Sequence, residues 1–117
     1  MQVQGQYAPA GSTWYNSAAA EETKLLKSGG GLLHALIVTN FNAAARYIYV
    51  FDSLTATGTP IVPPIPLAAL GTVGSVVGVF IAFSIPFTTG CFIATSSTGA
   101  VYTASAANDI RMSAVYK

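Results

Sequence analysis

The stretch Leu32–Asp52, LLHALIVTNFNAAARYIYVFD, decides the fold. Its first part, Leu32–Thr39, is an apolar run of strand length with a β-branched end. Its last part, Arg46–Asp52, alternates aromatic residues with aliphatic and charged ones, which is a clear strand signal. The link Asn40–Ala45 contains two asparagines, which favour turns. The stretch therefore predicts two strands, and the short link makes a hairpin the natural interpretation.

Working outward, the same signals recur to the end of the chain. Cys91–Thr95 and the cleanly alternating Asp109–Lys117 predict strands, and so does Val76–Ile85, where larger residues alternate. Ile61–Leu67 contains prolines, so it can only be an edge strand or an extended crossing. Short strands separated by turn signals predict an all-β fold, an antiparallel β-sandwich or small barrel of about six to eight strands.

The first twenty residues, 1–20, differ from the rest of the chain. They carry no charge and show no regular period, so we predict an extended N-terminal arm before a single β-sandwich domain over residues 21–117. Tyr7, Trp14 and Tyr15 are the candidate partner-binding residues, because a free arm has no need of three aromatic rings. In the alternative interpretation the same rings pack onto the protein's own core.

The composition of the chain excludes several classes of function. Of 117 residues, 8% are charged and 52% are hydrophobic, and the net charge is +1; an ordinary soluble domain has about 25% charged residues. Such a chain is not intrinsically disordered, and five scattered cations make no footprint for nucleic acid. One cysteine excludes an internal disulfide framework. A surface with so little charge favours association, so we expect either a lipid bilayer or a permanent protein assembly to cover it.

A membrane segment is the weaker of these two alternatives. Leu67–Phe87 is apolar and long enough to span a bilayer as a helix. However, it contains three glycines, many β-branched residues and Pro86, and no basic cluster flanks it. The N-terminus also lacks the features of a signal peptide, which fits a protein that stays in the cytoplasm of the cell that makes it.

We predict no catalytic, cofactor or metal site, and no enzyme. The single histidine, His34, lies in an apolar run, so we predict a hydrogen-bonded structural role. Cys91 has no second cysteine nearby and is predicted to be a small buried hydrophobe. The aromatic side chains of Arg46–Asp52 could stack on bases or sugars, but with only one cation nearby we predict core packing instead.

The four acids also have structural interpretations. Asp52 and Asp109 lie at strand ends, where carboxylates close turns through hydrogen bonds to the backbone. Glu21 and Glu22 are predicted to form a solvated face or a helix start. No local signature pairs any two of them for acid–base catalysis.

The order of several short motifs resembles that of a small domain in structural proteins of tailed bacteriophages. The motifs, which span about four fifths of the chain, are Gly31–Asn40, Ala45–Asp52, Gly58–Pro60, Ile65–Leu67, Phe87–Thr95, Asn108–Ile110 and Val115–Lys117. The resemblance implies a β-sandwich virion domain of the kind found in capsid decoration or cement proteins, with related forms in tail and fibre components.

The resemblance leads us to expect a decoration or cement protein that binds across subunits of the major capsid protein and stabilises the shell. Its expected partners are the major capsid protein and copies of itself, with a trimer as one form of that association. Neither nucleic acid nor membrane is an expected partner. We expect the protein on the capsid surface of the virion, after synthesis in the host cytoplasm. The alternative is a tail, fibre or adaptor module that contacts the host surface or other virion proteins.

Overall fold

The computed structural model describes residues 11–70 and 78–117, and it confirms the all-β class. The strands are β1 (Thr13–Asn16), β2 (Thr23–Ser28), β3 (Gly31–Asn40), β4 (Arg46–Phe51), β5 (Ile65–Leu67), β6 (Gly78–Phe87), β7 (Gly90–Ser96) and β8 (Ile110–Tyr116). Within the described ranges there is no helix that is long and apolar enough to cross a membrane. The described end of the apolar stretch Leu67–Phe87 is the strand β6.

Two four-stranded antiparallel sheets pack face to face, as predicted for a β-sandwich. One sheet has the order β1-β8-β3-β6 and the other has the order β2-β7-β4-β5. The first strand therefore pairs with the last, the second with the seventh, the third with the sixth and the fourth with the fifth. A chain that pairs its ends in this nested way and then rolls up is a jelly roll.

The predicted hairpin between β3 and β4 is wrong, because the two strands lie in different sheets. Their link, Phe41–Ala45, is an arch that crosses from one sheet to the other. The buried Asn40 side chain shapes this arch: its amide donates to the carbonyls of Ala44 and Ala68, and its oxygen accepts from the N–H of Asn42. A hairpin and an arch need the same alternation in their strands, so the pattern alone could not separate them.

The core lies between the sheets and contains the inward residues of both. One sheet contributes Leu33, Leu36, Val38, Ile110, Met112 and Ala114, and the other contributes Ile48, Val50, Cys91 and Ile93. The inward positions of β8 are the ones that its alternation predicts, with Ile110, Met112 and Ala114 in the core and Tyr116 packed against it. Both sheets thus share one core, and most consecutive strands of the chain lie in opposite sheets.

The remaining strand predictions agree with the structure, with adjusted ends. β5 is a three-residue strand at the edge of its sheet, as its prolines require. β6 runs further towards the C-terminus than predicted, and the predicted first residues of that strand, 76–77, lie outside the described residues. The Cys91–Thr95 prediction corresponds to β7, and Asp109–Lys117 corresponds to β8.

Candidate partner-binding surface

Both glutamates accept hydrogen bonds from the protein and therefore do not form the solvated face or helix start that was predicted. Glu21 accepts from the hydroxyls of Tyr15 and Ser17, beside the short connection between β1 and β2. Glu22 accepts from the backbone N–H of Ala106 and holds the long β7–β8 loop against the start of β2. Glu21 therefore stabilises a local connection, whereas Glu22 holds a loop that is distant in the sequence.

Asp52 closes a turn, as predicted, but the turn lies far away in the sequence. Its carboxylate accepts hydrogen bonds from the N–H groups of Thr88, Thr89 and Gly90, which join β6 to β7. The bonds from Thr89 and then Thr88 are the largest causes that lower the pKa of Asp52 below its ordinary value. Asp52, which follows β4, thereby holds the end of its sheet against the turn between β6 and β7.

Asp109 departs from the prediction, because its side chain forms an ion pair instead of closing its own turn. One carboxylate oxygen lies 3.1 Å from Nε of Arg46, and both side chains are nearly buried. Asp109 directly precedes the strand β8 in one sheet, whereas Arg46 starts β4 in the other. The pair therefore ties the two sheets together at the end of the sandwich that holds the β3–β4 arch.

Most of the cationic side chains also contact other groups of the protein. The ammonium of Lys24 lies 4.5 Å from the centre of the Tyr15 ring, and the guanidinium of Arg111 donates to the Ser17 carbonyl. With the Arg46–Asp109 pair, these contacts leave Lys27 and Lys117 as the charged side chains that have no partner within residues 11–70 and 78–117. The surface is therefore even less ionic than the composition indicates.

The open side of the β1-β8-β3-β6 sheet, which we call the Trp14 face, presents apolar and hydroxyl groups. Register places its described residues in three cross-strand rows: Trp14, Val115 and Ala35; then Asn16, Ser113 and Ile37; then Arg111 and Thr39. Trp14 is 36% exposed and Ile37 is 37% exposed. Exposed aromatic and aliphatic side chains on a sheet with one charged residue are typical of a surface that binds protein.

The structure separates the three predicted binding residues. Trp14 lies on the open face of β1, whereas Tyr15, the next residue, packs against the core. Burial raises the pKa of Tyr15, and so does its hydrogen bond to Glu21. Tyr7 lies outside the described residues. The described part of the predicted arm thus includes a strand of the sandwich, with one ring turned outward and one turned inward.

A second aromatic cluster lies on the open side of the other sheet. Tyr49 and Phe51 of β4 are only 3% and 1% exposed, because the Tyr102 ring from the β7–β8 loop packs edge-on against both. The Tyr49 hydroxyl donates to the carbonyl of Gly99 in the same loop. This cluster confirms the prediction that these rings pack, and their faces are not free to stack on a base.

Beside this cluster is a cavity of about 360 Å³. Its walls include Tyr102 and Val101 from the β7–β8 loop, and Thr59, Pro60 and Pro64 from the β4–β5 connection. No charged side chain lines it. Sequence reasoning missed this cavity, because the two loops that form it are about forty residues apart and neither carries a recognisable binding motif.

The reactive side chains are held in structural roles. Nδ1 of His34 lies 3.2 Å from the Ser84 hydroxyl, which confirms the predicted hydrogen bond. Cys91 is fully buried, as predicted, and burial raises the pKa of its thiol to about 12. Among the residues that the structure describes, no three side chains suited to metal binding come together.

No protein-family model matches the chain. No curated protein and no solved structure matches it either.

Proposed function

We propose that the protein is a virion structural protein, a capsid decoration or cement protein that binds across subunits of the major capsid protein and stabilises the shell. The observation that supports this proposal is how the nine charged residues are used. All four carboxylates bind protein groups, and three of the five cations do so as well. Apart from Arg111, Lys27 and Lys117, the exposed surface of the described residues is largely neutral, as is typical of the central part of a protein interface.

We propose that the Trp14 face is the surface that binds the capsid shell. Aromatic residues are enriched at the centres of interfaces, and Trp in particular contributes strongly when a partner buries it. Each joint of a shell repeats many times, so a modest contact per copy adds up over the particle. The jelly-roll topology is also used by viral capsid domains, which supports the proposal by analogy of fold only.

The first experiment counts copies. Particles released by cells that make this chain are purified, and the chain is quantified against the major capsid protein by mass spectrometry with labelled standards. A cement protein is expected in hundreds of copies per particle. Absence of the chain from purified particles would overturn the proposal.

A second experiment tests the face itself. Ile37→Lys places a charge on the Trp14 face, and Leu25→Lys places one on the other sheet at a residue that is equally exposed, at 37%. A charge buried without a partner costs well over the 1.4 kcal/mol that corresponds to about a tenfold loss of affinity. We expect Ile37→Lys to bind shells at least about tenfold more weakly and Leu25→Lys to bind normally. Equal binding by both variants would exclude this face.

The cavity beside Tyr102 favours a second candidate function, a tail or fibre module that contacts the host surface. An uncharged, aromatic-walled cavity between two loops at the side of a sandwich is a suitable place for a small surface group. Tail and fibre components occur in few copies, so the same copy count would give about three or six chains per particle. That number would support this candidate against the cement proposal.

A further inference from the structure

A sheet edge must be protected, because its unpaired N–H and C=O groups can pair with another chain. This sandwich has four edge strands: β1 and β6 in one sheet, and β2 and β5 in the other. Natural proteins protect edges by keeping them short or by placing proline, lysine or a bulge there. The four edges of this protein differ sharply in this respect.

Three edges are protected. β1 has four residues and β5 has three, and proline occupies the middle of β5. β2 carries Lys24 and Lys27 and contains a register shift between Leu25 and Lys27. Each of these strands therefore has a feature that prevents a further strand from pairing along its length.

β6 is the longest of the four edges, and its two protections, a register shift and Pro86, both lie in its C-terminal half. It runs for ten residues, Gly78–Phe87, carries no charged side chain, and contains one proline, Pro86, next to its end. It pairs with β3 on one side, and no strand within residues 11–70 and 78–117 pairs with it on the other. Its one irregularity lies opposite His34, where the register shifts between Leu33 and Ala35.

We propose that the free edge of β6 pairs with β6 of a second copy of this chain, antiparallel and about a twofold axis. An antiparallel pair of identical strands needs no other sequence, because a residue i of one strand meets a residue j of the other, and the twofold axis repeats that contact from j to i. β6 has no charge, so this pairing brings no like charges together, whereas a similar pair of β2 strands would oppose their lysines. The net charge of +1 also leaves little repulsion between copies.

The pairing joins two four-stranded sheets into one continuous sheet of eight strands. Each copy has one such edge, so the association closes at two copies and does not grow into a fibre. Half of the backbone groups of a ten-residue strand face outward, which gives at most about ten hydrogen bonds across the twofold, and fewer where the register shift and Pro86 interrupt the strand. This inference does not depend on the proposed function, because it concerns the chain alone.

The test uses Ser84, an exposed residue of β6 whose hydroxyl contacts His34. Ser84→Lys adds a charge that both strands of the pair would carry, and Ser84→Ala removes the contact to His34 without adding charge. Mass is measured by light scattering after size-exclusion chromatography over a wide range of concentrations. We expect a dimer for the wild type and for Ser84→Ala, and a monomer for Ser84→Lys.

Hydrogen exchange shows where the dimer forms. Peptides that cover 78–87 should exchange at least about tenfold more slowly in the dimer than after dilution to the monomer, and Ser84→Lys should lose this protection. If Ser84→Lys does not fold, Ala82→Lys places the charge two positions along the same edge. A wild type that stays monomeric at high concentration would overturn the inference, and so would a dimer that both lysine variants leave intact.

Discussion

The three consecutive glycines Gly29, Gly30 and Gly31, where β2 turns into β3, allow a sharp test of the fold, because each has a different environment. A Cβ added at Gly31 would lie 2.1 Å from the Lys117 carbonyl oxygen and 2.8 Å from Cζ of Phe87. Gly31→Ala must therefore push apart the C-terminus and the start of β3. There the backbone of Leu32 exchanges two hydrogen bonds of 2.9 Å with that of Lys117.

The expected cost follows from these contacts. Losing the two hydrogen bonds costs about 1 kcal/mol each, and relieving the overlap costs about 1–3 kcal/mol more. Gly31→Ala should therefore destabilise the protein by about 3–5 kcal/mol. Gly29 has a φ of +89° with no atom near its Cβ position, so Gly29→Ala should cost only the backbone strain of about 1–2 kcal/mol.

Gly30→Ala is the matched control. Its added Cβ would make ordinary contacts, the shortest of 3.4 Å with the Phe87 carbonyl oxygen, and its φ lies outside the left-handed region. We expect its free energy of unfolding to stay within about 1 kcal/mol of the wild type. Equilibrium unfolding in urea measures all three variants. If Gly31→Ala is as stable as Gly30→Ala, the C-terminal strand does not lie where the structure places it.

Three further predictions concern side chains. Tyr102→Ala should destabilise the protein by about 2–4 kcal/mol in urea unfolding, because it removes two edge-on ring contacts and exposes Tyr49 and Phe51. Tyr102→Phe keeps the ring and should cost less than about 1 kcal/mol. Because the pKa of Asp52 is lowered in the folded state, its carboxylate stabilises the fold above pH 3.8, and this stabilisation is lost as the pH falls through the lowered pKa. In Asp52→Asn, the free energy of unfolding should therefore depend less steeply on pH in that acid range. An unchanged slope would contradict this. The Cys91 thiol, with its pKa raised to about 12, should react with a thiol reagent at pH 8 only as fast as the protein unfolds, and rapid labelling of the native protein would contradict its burial.

Most strands of this protein could be predicted from its sequence, but their pairing could not. Alternation along Arg46–Asp52 and Asp109–Lys117 reports that one side of each strand is buried, which is a local property. It does not report which strand lies alongside. The arch at Phe41–Ala45 was mistaken for a hairpin turn for this reason, and β1 was missed because a four-residue strand is too short to show a period.

The candidate surface was predicted only in part, for a similar reason. Trp14 and Tyr15 stood out as aromatic residues in an uncharged segment, but their opposite orientations follow from the pairing of β1 with β8. The cavity beside Tyr102 depends on two distant loops that meet over β4. Low charge was visible in the composition, whereas the use of each charge required the contacts between strands.

The distribution of charge in this protein follows from its topology. A jelly roll joins strands in opposite sheets at nearly every connection, so its ends need contacts that hold the two sheets together. Asp109 with Arg46 does this at one end, and Asp52 with the β6–β7 turn does it at the other. Arg46, Asp52 and Asp109 are therefore used to close the sandwich. Under the proposed function, neutral surface side chains such as Trp14 and the uncharged edge of β6 are the features left to bind a partner.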